Sequence, residues 1–102
     1  MTIANGMRPV HPGEILGDEL RTLGLSANAL SRRLDVPVNR ITAILQGRRS
    51  VTANTALRLA RFFGTSPQVW MNLQKTYELR REEIEAGREI AKRVTSAKFD
   101  AA

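Results

Sequence analysis

Proline and glycine divide this chain into short segments, and their spacing limits the length of the elements it can form. Apolar residues with helical spacing stop at Gly24, restart at Pro37, and stop again at Gly47 and Gly64. Proline is favoured in the first turn of a helix and glycine just past its end. Aromatic residues make up only 5% of the sequence, and β-branched runs are few. We therefore expect an all-α protein built of short helices.

The apolar pattern predicts five helices. They begin at or next to Pro12, Ser26, Pro37, Thr52 and Ser66. Serine and threonine are good residues to precede a helix, because their hydroxyl accepts a hydrogen bond from a free backbone N–H. In the fourth helix the pattern places Leu57 on the buried side and Arg58 on the solvent side.

Only Asp35 and Val36 separate the second predicted helix from the third. Two short helices joined by so tight a turn indicate a helix-turn-helix, whose second helix enters the major groove of DNA. The formal net charge of +6 also favours a polyanionic partner. Residues 26–63 carry all of this excess, since they hold seven arginines and one acid. Arginine suits bidentate contacts with phosphate and with guanine.

The outer face of the third helix is predicted to contact bases. With Ile41, Ile44 and Leu45 turned towards the core, this face carries Val38, Asn39, Thr42, Ala43 and Gln46, and Arg40 lies at its border. The residues predicted to contact bases are Val38, Asn39, Arg40, Thr42 and Ala43. Asparagine pairs with adenine and arginine with guanine, and small apolar groups fit the methyl group of thymine.

Polar residues around that helix are predicted to contact phosphates, because the first helix of the motif and the nearby loops hold the DNA backbone. The candidates are Ser26, Arg32, Gln46, Arg48, Arg49, Ser50 and Asn54. Each of them taken alone could be an ordinary surface residue of a helical bundle. The joint pattern favours DNA binding.

Six short motifs, taken in order, resemble the HigA-type antitoxins of the Cro and lambda repressor-like (XRE) helix-turn-helix superfamily. They lie at residues 11–16, 24–26, 44–49, 52–60, 63–66 and 70–74. Two departures are Asp35 and Ser31, where the superfamily often has glycine and alanine. Aspartate tolerates a left-handed turn and serine is small enough for close helix packing, so the motif stands.

The resemblance implies a five-helix DNA-binding domain over residues 7–79 that acts as a homodimer on a palindromic operator. It also implies repression of the protein's own operon and neutralisation of a HigB-like toxin, similar to RelE-type ribosome-dependent messenger RNA nucleases. Residues 80–102 are then a charged helical extension and a tail, with residues 96–102 predicted to be disordered. The extension is either a solvated helix or an element that binds the toxin or enlarges the dimer.

The fifth helix is predicted to supply the dimer interface, because a domain of four short helices needs little additional core. Its large apolar residues are Val69, Trp70, Leu73 and Tyr77, of which Trp70 is also expected to form part of the core. Two other functions remain open, namely a solitary helix-turn-helix regulator without a toxin and a protein-interaction module with incidental DNA binding.

An enzyme is the least expected class, because no catalytic triad, metal cluster or phosphate-binding loop is present in the sequence. His11 and Glu14 have no third ligand or nucleophile beside them, so we interpret them as part of a helix-start motif. No metal or cofactor is expected. Cysteine is absent, and no apolar stretch approaches the roughly 20 residues of a membrane span or resembles a secretion signal. These features predict a cytoplasmic protein without membrane contact.

Overall fold

The computed structural model describes residues 8–100, which form five helices and one further helical turn. They are α1 (Pro12–Leu23), α2 (Ala27–Leu34), α3 (Val38–Leu45), α4 (Ala53–Phe63), α5 (Pro67–Arg93) and the turn α6 (Ala97–Asp100). The five predicted helices and the all-α class are confirmed. Residue 7, where the predicted domain begins, lies outside the described residues.

The helix boundaries follow the predicted capping signals. The hydroxyls of Ser26 and Ser66 each accept a backbone N–H at 3.1 Å, at the starts of α2 and α5. Thr52 occupies the same position before α4 but makes no capping hydrogen bond with its side chain. Pro37 precedes α3 as its N-cap residue, one position before the first turn in which the sequence pattern placed it.

The core lies where α1 to α4 meet the first half of α5. Its buried apolar members are Leu16, Leu20, Leu30, Leu34, Ile41, Ile44, Val51, Ala56, Leu59 and Trp70. Helix α1 packs on α3 and α5, α2 packs on α3 and α4, and α4 packs on α5. The prediction for Leu57 is wrong, since 61% of this residue is exposed. Thr55 is buried instead, because the inward arc of α4 runs through Thr55, Ala56 and Leu59.

Helices α1 and α3 approach so closely that position 13 requires glycine. A Cβ atom on Gly13 would lie 1.9 Å from the backbone carbonyl oxygen of Ile44. The start of α1 therefore touches the end of α3.

Helix α2 and the turn that follows it accommodate the two departures from the superfamily pattern. Asp35 adopts the left-handed conformation with φ 58°. Ser31 is buried, and its hydroxyl donates to the backbone carbonyl of Asn28 at 2.7 Å. Both residues thus fill the roles expected of them.

Helix α5 continues without interruption through the predicted boundary between residues 79 and 80. Its 27 residues span about 40 Å at 1.5 Å per residue, so it extends beyond the core of a molecule measuring 58 × 24 × 22 Å. Beyond Arg80, every position of α5 is exposed except the half-buried Ala86 and Gly87. Residues 97–100 form a helical turn where disorder was predicted, and residues 101–102 lie outside the described part. None of the described helices is long and apolar enough to cross a membrane.

Candidate DNA-binding surface

One side of helix α3 is buried in the core, and the other side is accessible to solvent. Ile41 and Ile44 are completely buried, and Leu45 is partly buried. The predicted base-contacting residues lie on the open side. Of these, Val38 and Asn39 are exposed, whereas Arg40, Thr42 and Ala43 are partly exposed. The structure thus leaves all five candidates accessible.

Asn54 of α4 binds two arginines, one in α3 and one in its own helix. Its Oδ1 accepts hydrogen bonds from Arg40 Nη1 at 3.0 Å and from Arg58 Nε at 2.8 Å. Because Oδ1 already has two donors, the group that Asn54 has left for a phosphate is its amide NH2. Asn54 therefore also orients the guanidinium of Arg40, a second role that the sequence pattern did not indicate.

Arg58 does not lie on the solvent side, as the sequence predicted. It is half-buried, and its Nη1 donates to the backbone carbonyls of Leu34 at 2.7 Å and of Asp35 at 3.2 Å. These carbonyls lie at the end of α2, where a cation satisfies unpaired acceptors and the negative end of the helix dipole. Arg58 thus ties the turn of the helix-turn-helix to α4. Sequence periodicity could not reveal it, because its partners lie 24 and 23 positions away.

The segment between α3 and α4, residues 46–51, carries most of the predicted phosphate contacts, and we call it the arginine loop. Residues 46–50 are all exposed. Gly47, the second residue of the loop, has φ 75°. Its N–H donates to the Ile44 carbonyl, and the Arg48 N–H donates to the Ala43 carbonyl. These two backbone hydrogen bonds satisfy free carbonyls at the end of α3, a pattern typical of helix C-termini. The Nε of Arg48 also donates to Gln46 Oε1 at 2.9 Å.

Ser26 and Arg32 lie apart from this cluster. The Ser26 hydroxyl caps α2, and Arg32 is exposed on the same helix. Within residues 8–100, no side-chain hydrogen bond joins either residue to the arginine loop or to Asn54. Their phosphate contacts remain predictions based on the geometry of the motif.

The positive charge of this region has no acidic counterpart in the described chain. None of the seven arginines in residues 26–63 forms an ion pair with a carboxylate there. Their observed partners are amide oxygens, backbone carbonyls and, for Arg33, the ring of Phe62 at 4.9 Å. The surface therefore keeps the charge that a polyanion would neutralise.

His11 and Glu14 have separate structural roles. His11 is buried and caps α1, since its Nδ1 accepts the Gly13 N–H at 2.8 Å. Burial lowers the pKa of His11, and a hydrogen bond to the backbone of Arg49 opposes that shift. Glu14 forms a bidentate ion pair with Arg8, in which Nη1 and Nη2 of the arginine each lie 2.7 Å from a carboxylate oxygen. Hydrogen bonding to Arg8 lowers the pKa of the Glu14 carboxyl. This agrees with our interpretation of a helix-start motif.

Known proteins with similar sequences and structures identify the family of this chain. The helix-turn-helix family matches residues 18–70 of this chain. An addiction module antidote protein of the HigA family from Coxiella burnetii has a solved structure that is 55% identical. It superposes with a TM-score of 0.87 and covers 88% of this chain and 99% of its own. The chain belongs to the HigA branch of the helix-turn-helix family.

Two further proteins support this HigA-type assignment. The Pseudomonas aeruginosa antitoxin HigA, solved with the higBA promoter, is 42% identical with a TM-score of 0.84, over 86% of this chain and 97% of that one. Virulence-associated protein I of Dichelobacter nodosus is 49% identical over 80 residues, which cover 78% of this chain and 74% of that protein. The family predicted from the sequence motifs is confirmed.

The predicted dimer residues of this HigA-type chain fall into two groups. Trp70 is 4% exposed and packs against Phe63, with 5.9 Å between ring centroids, so it belongs to the core and offers a partner no surface. By contrast, Val69, Leu73 and Tyr77 line an open groove of about 770 Å³ beside α1. The groove also includes Val10 and Ile15, so its walls are largely apolar.

Proposed function

We propose that this protein is a sequence-specific double-stranded DNA-binding repressor of the antitoxin type, acting in the cytoplasm on its own operon. The observation that carries this proposal is the open face of α3 beside an arginine loop with no acidic partners. A helix-turn-helix offers this face to the major groove and its neighbouring loops to the backbone. The HigA of Pseudomonas aeruginosa, solved with its promoter, supports DNA as the partner.

The roles of the residues follow from their chemistry. Asn39 and Arg40 pair with base edges, and Val38, Thr42 and Ala43 add apolar contacts with thymine. Arg48 and Arg49 neutralise phosphates, aided by the polar residues Ser26, Arg32, Gln46, Ser50 and Asn54. Arg40 is held by Asn54 before DNA arrives, which reduces the entropy lost when it binds a base.

A homodimer matches this function, because two-fold symmetry places two copies of α3 about 34 Å apart on a palindromic operator. The apolar groove lined by Val69, Leu73 and Tyr77 is the candidate dimer surface. Sedimentation at micromolar concentration tests it. A Leu73→Glu variant should shift the protein towards monomer, and a wild-type chain that sediments as a monomer would contradict the dimer.

The antitoxin role requires a toxin partner, proposed here as a HigB-like protein. Its support is the antidote protein of the HigA family, which is 55% identical over most of the chain. Co-expression with a small basic protein encoded beside this gene should relieve growth arrest and give a stable complex. A protein that represses its promoter but has no such neighbour is a solitary regulator of the same fold.

The decisive experiment measures binding to a labelled duplex from upstream of the protein's own gene, against a scrambled duplex, from about 50 to 300 mM salt. Tight sequence-dependent binding with a steep salt slope is expected. Equal and weak binding to both duplexes would mean that charge alone drives association. The repressor proposal would then be wrong, and a protein partner would become the leading candidate.

A further inference from the structure

The second half of the arginine loop is held by side chains that lie outside the helix-turn-helix. The first half is fixed by the backbone bonds that close α3, which end at the Arg48 N–H. From Arg49 to Val51 the backbone makes no such bond within the described chain. Two buried side chains, His11 and Gln74, contact this part of the loop instead.

Gln74 of α5 binds the end of the loop. Its Oε1 accepts the Val51 N–H at 2.8 Å, and its Nε2 donates to Glu78 Oε2 at 2.7 Å. Gln74 is 4% exposed and Val51 is 1% exposed, so water does not readily replace this bond. A buried N–H without an acceptor costs about 1–3 kcal/mol, which makes Gln74 an effective anchor.

His11 binds the middle of the loop. Its Nδ1 is occupied as an acceptor by the Gly13 N–H, so the neutral ring carries its proton on Nε2. The ring lies under Gly47, where an added Cβ would be 3.9 Å from it, and the backbone of Arg49 raises the pKa of the ring. Tyr77 packs edge-on against the ring with 4.8 Å between centroids.

We propose that His11 and Gln74 are positioning residues for DNA binding, which set the backbone of the arginine loop so that Arg48 and Arg49 meet the phosphates. The inference rests on the proposed DNA-binding function. Neither side chain reaches the surface, so each acts through the loop. Gln74 and Tyr77 lie three positions apart on one turn of α5. This turn thus supports the arginine loop from the side that faces the core.

The first test replaces Gln74 with methionine, which has similar size but cannot accept the Val51 N–H. Gln74→Met should weaken binding to the upstream duplex about tenfold and lower the salt slope by about one phosphate contact. The exposed Gln68 provides a matched control on the same helix, and Gln68→Met should bind like wild type. Unchanged affinity and salt slope in a folded Gln74→Met protein would overturn the proposal.

A swap of the two partners on α5 tests whether the hydrogen bond itself matters. In Gln74→Glu/Glu78→Gln, residue 74 again accepts the Val51 N–H and residue 78 donates back to it, with the net charge unchanged. The swap should restore both the affinity and protection of the Val51 amide from hydrogen exchange. If amide protection returns without DNA affinity, the loop position does not govern binding and the proposal fails.

A double-mutant cycle separates positioning from general destabilisation. Gln74→Met should cost little further affinity once Arg48 and Arg49 are alanine, because the loop then has no phosphate contacts to position. Additive losses would overturn the positioning role. A wild-type chain that binds upstream and scrambled duplexes equally would instead refute the proposed function itself.

Discussion

Two regions of this protein are rich in arginine, and they differ in what their arginines contact. In residues 26–63 the arginines contact amide oxygens, backbone carbonyls and one aromatic ring. In the distal segment, residues 80–93 of α5, three of the four arginines pair with glutamates three or four positions away. The first region holds seven arginines and one acid, whereas the five basic and four acidic residues of the distal segment nearly cancel. The arrangement of arginines, more than their number, makes a surface that fits a polyanion.

The two regions also differ in what lies beneath them. The helix-turn-helix rests on a core of buried side chains, whereas the distal segment is exposed around almost its whole circumference. Exposed ion pairs at i,i+4 contribute only about 0.3–0.5 kcal/mol each. The distal segment is therefore helical mainly through local interactions and the helix that precedes it.

The largest expected difference between the regions concerns DNA affinity. Arg48→Ala/Arg49→Ala should weaken operator binding about 100-fold, or 2.7 kcal/mol, and lower the salt slope by about two contacts. Arg88→Ala/Arg93→Ala removes the same charge from the distal segment and should have little effect. Fluorescence anisotropy over a salt series measures both. Similar losses in the two variants would show that net charge alone determines binding.

A narrower effect is expected at the base-contacting face. Arg40→Ala should cost roughly 1–3 kcal/mol of operator affinity and relax specificity at one base pair. Competition with duplexes that carry single base-pair changes measures this loss. A uniform weakening on all of these duplexes would instead assign Arg40 to a phosphate.

The two regions should also differ in how much their arginines contribute to the free energy of unfolding, and Arg58 tests this difference. Arg58→Ala leaves the carbonyls of Leu34 and Asp35 without their charged donor and should lower the free energy of unfolding by roughly 1–2 kcal/mol. Arg93→Ala, which loses an exposed pair with Glu89, should change it by less than about 0.5 kcal/mol. Urea denaturation compares them, and equal values would mean that Arg58 does not stabilise the turn.

The smallest expected effect is a pH dependence of stability that arises from His11, which lies beneath the arginine loop of the first region. Burial lowers the pKa of His11 in the folded state below its ordinary value of 6.5. As the pH falls below 6.5, the unfolded state takes up the proton first, so the free energy of unfolding should decrease. This loss ends below the folded-state pKa. Glu14, whose pKa lies below its usual 4.5, acts only at lower pH.

A His11→Asn variant provides the control for this pH effect. Asparagine retains a side chain suited to capping α1 but does not titrate. Its stability should vary less between about pH 7.5 and 5.5 than that of wild type. An identical decrease in both proteins would exclude His11 as the titrating group.

Most of the fold follows from local patterns in the sequence. Caps such as Ser26 and Ser66, and the glycines after α1 and α4, act on adjacent residues, so the sequence locates these helix ends. The buried and open faces of α3 follow in the same way, because Ile41 and Ile44 lie three positions apart. Sequence alone thus determined five helices, the helix-turn-helix and the outward position of the residues predicted to contact bases.

Only the tertiary structure decided which long side chains turn inward. Arg58 and Leu57 are neighbours, yet the arginine binds the end of α2 and the leucine faces solvent. Gln74 reaches Val51 across 23 positions, and His11 reaches the loop that follows α3. Such contacts depend on how the helices are rotated and spaced against each other. Periodicity within a single helix carries no information about that arrangement.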